Sequence, residues 1–71
     1  MEVLVFKTDI RYKKEINAIR RYIEGEPNII KWNVDLQDID KVLRIEALDI
    51  HPSMIQKLVN EAGHYCEELP D

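Results

Sequence analysis

A histidine and the only cysteine of the sequence, His64 and Cys66, lie two residues apart. The surrounding pattern predicts a short strand, on which residues two apart point to the same side. An imidazole and a thiol both bind Zn(II), and the thiol also suits Cu(I). Two ligands do not complete a site, so metal binding here requires a dimer that supplies four. The competing interpretation is an ordinary strand pair in which Cys66 is a small apolar core residue.

Three acidic residues, Asp35, Asp38 and Asp40, cluster between two segments of alternating polarity. Carboxylates bind hard cations such as Ca²⁺, but such loops need more oxygen ligands and usually a glycine at the sharp turn. No glycine occurs in this segment, so the cluster is interpreted as a solvated turn.

The sequence contains little that suits catalysis. Its only serine, Ser53, falls at a predicted helix start, so no serine, histidine and acid arrangement can be placed. It also lacks the glycine-rich loop that binds phosphate groups. We therefore predict that the protein is not an enzyme and has no catalytic residues and no cofactor.

The composition limits the remaining possibilities. The chain has 71 residues, a net charge of -4 and an apolar share of 45%, which favours one small domain, residues 1–71, over a disordered tail. No apolar run approaches the roughly 20 residues that span a bilayer, and Met1 leads directly into a strand pattern, so we expect neither a membrane segment nor a signal peptide. An acidic balance argues against nucleic acid, and a lone cysteine favours the cytoplasm.

Changes in hydrophobic period predict six elements that would position these residues. A strand spans Glu2–Thr8, and a helix follows over Tyr12–Glu24. Gly25, the next residue, can take the left-handed conformation that ends a helix. Ile30–Leu36 and Val42–Ala47 alternate in polarity and predict a hairpin.

The last third of the sequence predicts a second helix and an edge strand. Pro52 suits its first turn, and Ser53 with Gln56 fits a capping box. The helix has a predicted apolar stripe that is made of Met54, Ile55, Leu58, Val59 and Ala62. Gly63 ends it, and 64–69 form a short strand. The order βαββαβ predicts an α+β, ferredoxin-like fold, with a four-stranded antiparallel sheet and two helices on one face.

These residues resemble the heavy-metal-associated domain family of copper chaperones and metal-transporting ATPases. The resemblance rests on the helix stripe Ile16, Ile19 and Ile23, the turn at 25–29, the strand at 32–36, and the final helix and strand at 55–65. The family's MxCxxC motif follows the first strand. Aligned on Ile16, the Met position falls on Lys7 and the two cysteines on Asp9 and Tyr12. The resemblance thus implies the fold without its thiolate metal site, and we expect no metal at this loop.

Lys7 and Tyr12 each have two interpretations, one structural and one functional. Lys7 is a cation that would repel a metal ion and hold the loop closed against Asp9, or it is a solvated strand end. Tyr12 packs over the core where the family has a metal ligand, or it contacts a partner.

The expected binding surface is the sheet face that carries no helix. It would present Val3, Val5, Val42 and Arg44, an apolar strip in a polar frame. We therefore expect a domain that binds a protein partner or itself, and a homodimer is one allowed form. The alternatives are a metal-binding or transport protein that uses His64 and Cys66, and a small-ligand regulatory module of the ACT type, which shares the element order.

Overall fold

The computed structural model, which describes residues 1–70, confirms the predicted order of elements. They are β1 (Glu2–Thr8), α1 (Lys13–Ile23), β2 (Ile29–Asp35), β3 (Val42–Ala47), α2 (Pro52–Glu61) and β4 (Cys66–Glu68). The strands form one antiparallel sheet in the order β2-β3-β1-β4. Because β1 and β3 are adjacent at its centre, each crossover brings its helix back over the same face. The fold is the ferredoxin-like βαββαβ arrangement predicted from the sequence.

The core lies between this face of the sheet and the two helices. Strand β3 contributes Leu43, Ile45 and Ala47, the alternating set predicted from the sequence, and all three are fully buried. The other strands and helices supply the rest of this cluster, which comprises Leu4, Phe6, Ile10, Ile19, Ile23, Ile50, Ile55, Val59 and Cys66. Burial of one such aliphatic side chain contributes about 1.5–3 kcal/mol to folding.

A β-bulge changes the predicted face of Ile30. The sequence places Ile30 on the buried side with Trp32 and Val34, but Ile30 is 55% exposed. The register between β2 and β3 shifts between Ile29 and Lys31. A bulge inserts one extra residue into the strand and reverses the alternation beyond it. As a result, Ile29 packs against the core in place of Ile30.

Three features of the helices differ from the predictions: the cap of α2, the exposure of Met54 and the conformation of Gly25. Helix α2 is capped by His51, whose Nδ1 accepts the Ser53 backbone N–H at 3.1 Å, so the predicted Ser53 capping box is wrong. Met54 is 44% exposed and lies outside the buried stripe. Gly63, with φ 89°, has the left-handed conformation, whereas Gly25 does not.

The antiparallel sheet has two ends that gather different loops. Segments 9–12, 36–41 and 63–65 meet at one end, which we call the site end, because β1 finishes where β3 and β4 begin. Segments 24–28 and 48–51 meet at the opposite end. Within residues 1–70, no helix combines the length and the apolar character needed to cross a membrane.

Candidate functional site

Asp9 joins the loop after β1 to the loop before β4. Its Oδ1 accepts a hydrogen bond from the Tyr65 backbone N–H at 3.1 Å. The same oxygen lies 3.0 Å from Nδ1 of His64. Because a carboxylate only accepts, Nδ1 carries the proton in this bond. We call this arrangement of Asp9, His64 and the Tyr65 N–H the Asp9–His64 clasp.

His64 is held in this clasp and does not belong to a strand. The strand β4 begins only at Cys66, so the prediction that both residues lie on one strand is wrong. The His64 backbone N–H donates to the Val59 carbonyl at 3.1 Å, which places it in the turn that ends α2. Its side chain is 12% exposed, against 50% for Asp9. The imidazole therefore fills the inner part of the site end.

Cys66 is a core residue at the first position of β4, opposite Thr8. It is 7% exposed, and burial raises the pKa of its thiol from 9.0 to about 12. A thiolate, and not a thiol, is the metal ligand and the nucleophile. At neutral pH the Cys66 sulfur is therefore protonated and poorly suited to either role.

Thr8 anchors the start of the β1–α1 loop to the β2–β3 turn. Although polar, it is only 5% exposed. Its Oγ1 donates to the Lys41 carbonyl at 2.5 Å and accepts the Ile10 backbone N–H at 3.2 Å. Both hydrogen-bonding roles of the buried hydroxyl are thus satisfied within the protein, as burial of a polar group requires.

Of the two interpretations of Lys7, a contact with Asp9 and a solvated strand end, the structure agrees with the second. The Nζ of Lys7 lies 3.8 Å from Oδ1 of Asp40, in an exposed ion pair with the β2–β3 turn. Across the neighbouring strand, Lys7 is opposite Glu67. Glu67 accepts a hydrogen bond from the Tyr65 hydroxyl, and this bond raises the pKa of Tyr65. These contacts form a charged rim beside the clasp.

Tyr12 is the residue before α1 and is 59% exposed, so the prediction that it packs over the core is wrong. Glu15 closes this helix end instead, because its Oε1 accepts the backbone N–H groups of Arg11 at 2.7 Å and Tyr12 at 3.1 Å. The Arg11 bond, with a smaller contribution from Tyr12 and from the charge of His64, lowers the pKa of Glu15. The Tyr12 ring is left facing solvent, with Lys14 Nζ 5.9 Å from its centroid.

Solved structures similar to this chain include domains of copper transporters and copper chaperones. The yeast copper transporter domain Ccc2a is 14% identical, with a TM-score of 0.83 and coverage of 100% of this chain and 99% of that chain. The N-terminal domain of PacS from Synechocystis is 15% identical, with a TM-score of 0.82 and coverage of 99% and 100%. The first domain of the human copper chaperone for SOD1 is 17% identical, with a TM-score of 0.79 and coverage of 93% and 89%. The chain has the heavy-metal-associated fold.

Comparisons at the level of sequence add no closer relative. No family model matches the sequence. A search of curated proteins also finds no match. The heavy-metal-associated fold is therefore carried here by a sequence that shares few residues with the solved copper-binding domains.

The residues at the site end do not fit Cu(I) as a cargo. Cu(I) prefers soft thiolate and thioether ligands. The loop offers the carboxylate of Asp9, the phenol of Tyr12 and the ammonium group of Lys7, and the clasp already occupies Oδ1 of Asp9. The only sulfur near this end belongs to Cys66, whose thiol is buried and protonated. The β1–α1 loop therefore contains no set of soft ligands for a metal ion.

The hairpin aspartates act within the turn itself. Oδ1 of Asp35 accepts the Gln37 backbone N–H at 3.0 Å, and Oδ1 of Asp38 accepts that of Asp40 at 2.8 Å. Such bonds are typical of Asx turns, in which the side chain stabilises the local backbone. In the part of the chain that the structure describes, no three His, Cys, Asp or Glu side chains group so as to hold a metal ion.

Ser53 and His51 form a contact that the sequence analysis missed. Oγ of Ser53 lies 2.8 Å from Nδ1 of His51, a distance typical of a catalytic serine and its base. The same nitrogen accepts the Ser53 backbone N–H, which makes the pair a helix cap. The sequence signal for this cap is the position of His51, which directly precedes Pro52 at the start of α2 and lies two residues before Ser53.

The helix-free sheet face brings the four expected surface residues together. Val5 is opposite Arg44 and Val3 is opposite Glu46 across β1 and β3, while Val42 is opposite Asp35 across β3 and β2. Val3 is 43% exposed. Val5 and Val42 are half-buried and Arg44 is exposed. The face is a shallow apolar strip bordered by alternating charges.

The juxtaposition of Asp9 and His64 is the feature of the site end that sequence reasoning did not identify. Each residue was singled out separately, one at a cysteine position and the other beside Cys66. In a βαββαβ sheet the loops after β1 and before β4 lie at the same end. This topology was the available signal for pairing them.

Proposed function

We propose that this chain, residues 1–71, is a non-enzymatic domain that binds a protein partner and carries no Cu(I) on its β1–α1 loop. The observation that supports the proposal most directly is the Asp9–His64 clasp. One oxygen of Asp9, at a cysteine position of the family motif, has a backbone donor at 3.1 Å and an imidazole nitrogen at 3.0 Å. The loop is thus closed by hydrogen bonds within the protein.

Binding to another protein is supported by precedent among proteins of this fold. A solved complex of Atx1, Cu(I) and Ccc2a contains a chain that matches this one with a TM-score of 0.83 and 14% identity. A domain of this shape therefore has a surface that can pair with another protein. In the present chain we assign the contact to the helix-free sheet face.

The face has the chemical character of a weak, specific contact. Val3 and Val5 supply apolar area, and Arg44 stands beside Val5 on the neighbouring strand. Apolar residues in the centre and charges around them are typical of interfaces, and arginine is enriched in them. The occupant is a protein partner or a second copy of this chain, in which case the domain is a homodimer.

The proposal places the domain in the cytoplasm. The only cysteine is Cys66, and a protein with one thiol gains no internal disulfide in an oxidising compartment. In a reducing compartment the buried thiol remains a core residue. No nucleic acid, membrane or enzymatic reaction is part of the proposed role.

Metal analysis of the purified protein tests the proposal. The chain is incubated with Cu(I) or Zn(II) and a competing chelator, desalted, and analysed for metal per chain. We expect no stoichiometric metal. Stoichiometric binding with submicromolar affinity that is lost in Asp9→Asn or Tyr12→Phe would refute the proposal, and loss in Cys66→Ser would instead favour the His64 and Cys66 alternative.

Size-exclusion chromatography with light scattering then separates the two occupants of the sheet face. A dimer that dissociates in Arg44→Glu assigns the face to a second copy. A monomer assigns it to a different protein. Glu61→Gln, an exposed change on α2, is the matched control and leaves the mass unchanged.

A further inference from the structure

Two adjoining clefts lie at the opposite end of the sheet from the clasp. They share Asp49, Ile50 and His51 as a common wall. One extends between the start of α2 and segment 24–28 and reaches Met54, and the other reaches Glu2. We call the two together the opposite-end cleft. It involves neither the β1–α1 loop nor the helix-free sheet face.

The charges that line this cleft are mostly negative. Glu2, Glu26 and Asp49 contribute three carboxylates, and Lys57 is the one cation among the lining residues. The ion pairs described within residues 1–70 all involve other groups. Asp49 lines both clefts, Glu26 lines one and Glu2 lines the other. Clefts lined mostly by one sign of charge concentrate the opposite sign.

An apolar side chain lines the cleft together with these carboxylates. It belongs to Met54, which is 44% exposed. Ile50 is 7% exposed and connects the cleft to the core. The Leu48 backbone N–H donates to the Asn28 carbonyl at 2.9 Å, which fixes the loop against the start of β2. The cleft thus offers apolar contact with Met54 next to the carboxylate of Asp49 on an anchored loop.

We propose that the opposite-end cleft binds an extended segment of a partner protein in which Lys or Arg alternates with bulky apolar residues. The cations would pair with Glu2, Glu26 and Asp49, and the apolar side chains would contact Met54. A cationic partner segment is favoured over a second copy of this chain, because a second copy would bring its own net charge of -4 to an acidic surface. The inference rests on the proposed protein-binding function and adds a site and a partner chemistry to it.

Backbone amide chemical shifts of the full chain test this site. The probe is an acetylated and amidated eight-residue peptide in which Lys and Leu alternate. We expect shifts concentrated at 48–51 and at Met54, and an affinity that falls as salt is added. A matched peptide with Glu in place of Lys is expected to cause no shifts at these positions.

Variants of the lining carboxylates make the test specific. Each of Glu26→Gln and Asp49→Asn is expected to weaken peptide binding about two- to fivefold, the range for exposed ion pairs. Asparagine is the suitable replacement at Asp49 because φ is 55° there, a conformation it tolerates. Glu61→Gln makes the same charge change elsewhere and is expected to leave the affinity unchanged.

The outcomes separate this inference from the proposed function. Shifts at Val3, Val5 and Arg44 instead of 48–51 would overturn the cleft assignment and leave protein binding intact. No shifts at millimolar peptide, or equal binding by the two carboxylate variants and the control, would also overturn it. Stoichiometric Cu(I) on the β1–α1 loop would refute the proposed function without changing the shift pattern.

Discussion

The carboxylate of Asp9 and the imidazole of His64, 55 residues apart in the chain, lie 3.0 Å apart. The bond closes two loops over each other at the end of the sheet where the family motif places its metal ligands. The contact between the two loops thus depends on polar bonds that substitution of Asp9 can remove, and the effect on the free energy of unfolding can be measured.

Removal of the Asp9 side chain is expected to destabilise the fold. Asp9→Ala loses the bonds to His64 and the Tyr65 N–H, and a net hydrogen bond contributes about 1 kcal/mol. We expect the free energy of unfolding to fall by about 1–2 kcal/mol, and by less in Asp9→Asn, which keeps an acceptor oxygen. Urea unfolding followed by the fluorescence of Trp32, the only tryptophan, measures the change. A value for Asp9→Ala equal to that of Glu61→Gln would show that the clasp has no energetic role.

Two cysteines in the β1–α1 loop are expected to create a copper site. In the double variant Asp9→Cys/Tyr12→Cys, two thiolates replace a carboxylate and an exposed phenol on a loop of the same fold. We expect one Cu(I) per chain in competition with a chelator, because soft thiolates select Cu(I). Asp9→Ser/Tyr12→Ser is the isosteric control without sulfur. A folded double-cysteine variant that binds no copper would mean that the register with MxCxxC is wrong.

The buried thiol predicts a loss of stability at alkaline pH. Burial raises the pKa of Cys66 from 9.0 to about 12 in the folded protein, so the unfolded chain releases its proton first. The contribution is fully present below pH 9 and is lost as the pH rises toward about 12. We expect the difference in unfolding free energy between the native protein and Cys66→Ala to shrink between pH 8 and pH 11. A difference that is constant over this range contradicts the prediction.

Two glycines provide a matched pair of substitutions. Gly63 has φ 89°, and a Cβ there would meet no atom within 4 Å, so Gly63→Ala tests backbone conformation alone. We expect a loss of about 1 kcal/mol in unfolding free energy from the unfavourable left-handed conformation. Gly25 lacks a positive φ, and its Cβ would be 3.5 Å from the Arg21 carbonyl oxygen, an ordinary contact. Gly25→Ala is therefore expected to be neutral, and equal losses at both positions would contradict this account.

The last prediction concerns the contact between α1 and β2. Arg20 lies over the Trp32 ring at 5.1 Å and pairs with Glu24 at 3.1 Å, and Glu24 also accepts the Trp32 Nε1–H at 3.3 Å. Arg20→Ala is expected to cost about 0.5–1 kcal/mol, the value of an exposed cation–π contact, and to shift Trp32 emission. Arg21→Ala, one residue on, is the control. Unchanged emission and stability in Arg20→Ala would show that the contact is not maintained in solution.

The predictions from sequence succeeded where a regular period decides the structure. The alternation of Leu43, Ile45 and Ala47 identifies β3 and its buried face, and all three side chains are fully buried. The same alternation rule failed at Ile30, because a single extra residue in β2 reverses the alternation there. No local pattern in the sequence marks that position. The period describes ideal strands and helices, while bulges depend on pairing with another strand.

The candidate site was less predictable than the fold. The absence of cysteine in the loop was evident from the sequence, but the partner of Asp9 was not, since that contact joins residues 55 positions apart. His64 was assigned to a strand because the segment 64–69 is long enough for one, whereas the turn after α2 extends to its backbone N–H. Lys7 had two interpretations, a contact with Asp9 or a solvated strand end, and the structure places it in an exposed ion pair with Asp40, a residue of the β2–β3 turn that no local pattern links to it.

The bulge in β2 also bears on how the protein behaves at high concentration. β2 is an outer strand of seven residues, and the other outer strand, β4, has only three. A long flat outer strand can recruit further chains into a growing fibril, and an extra residue that bends the strand prevents such stacking. The kink at Ile29–Lys31 thus interrupts the flat edge on which such stacking depends.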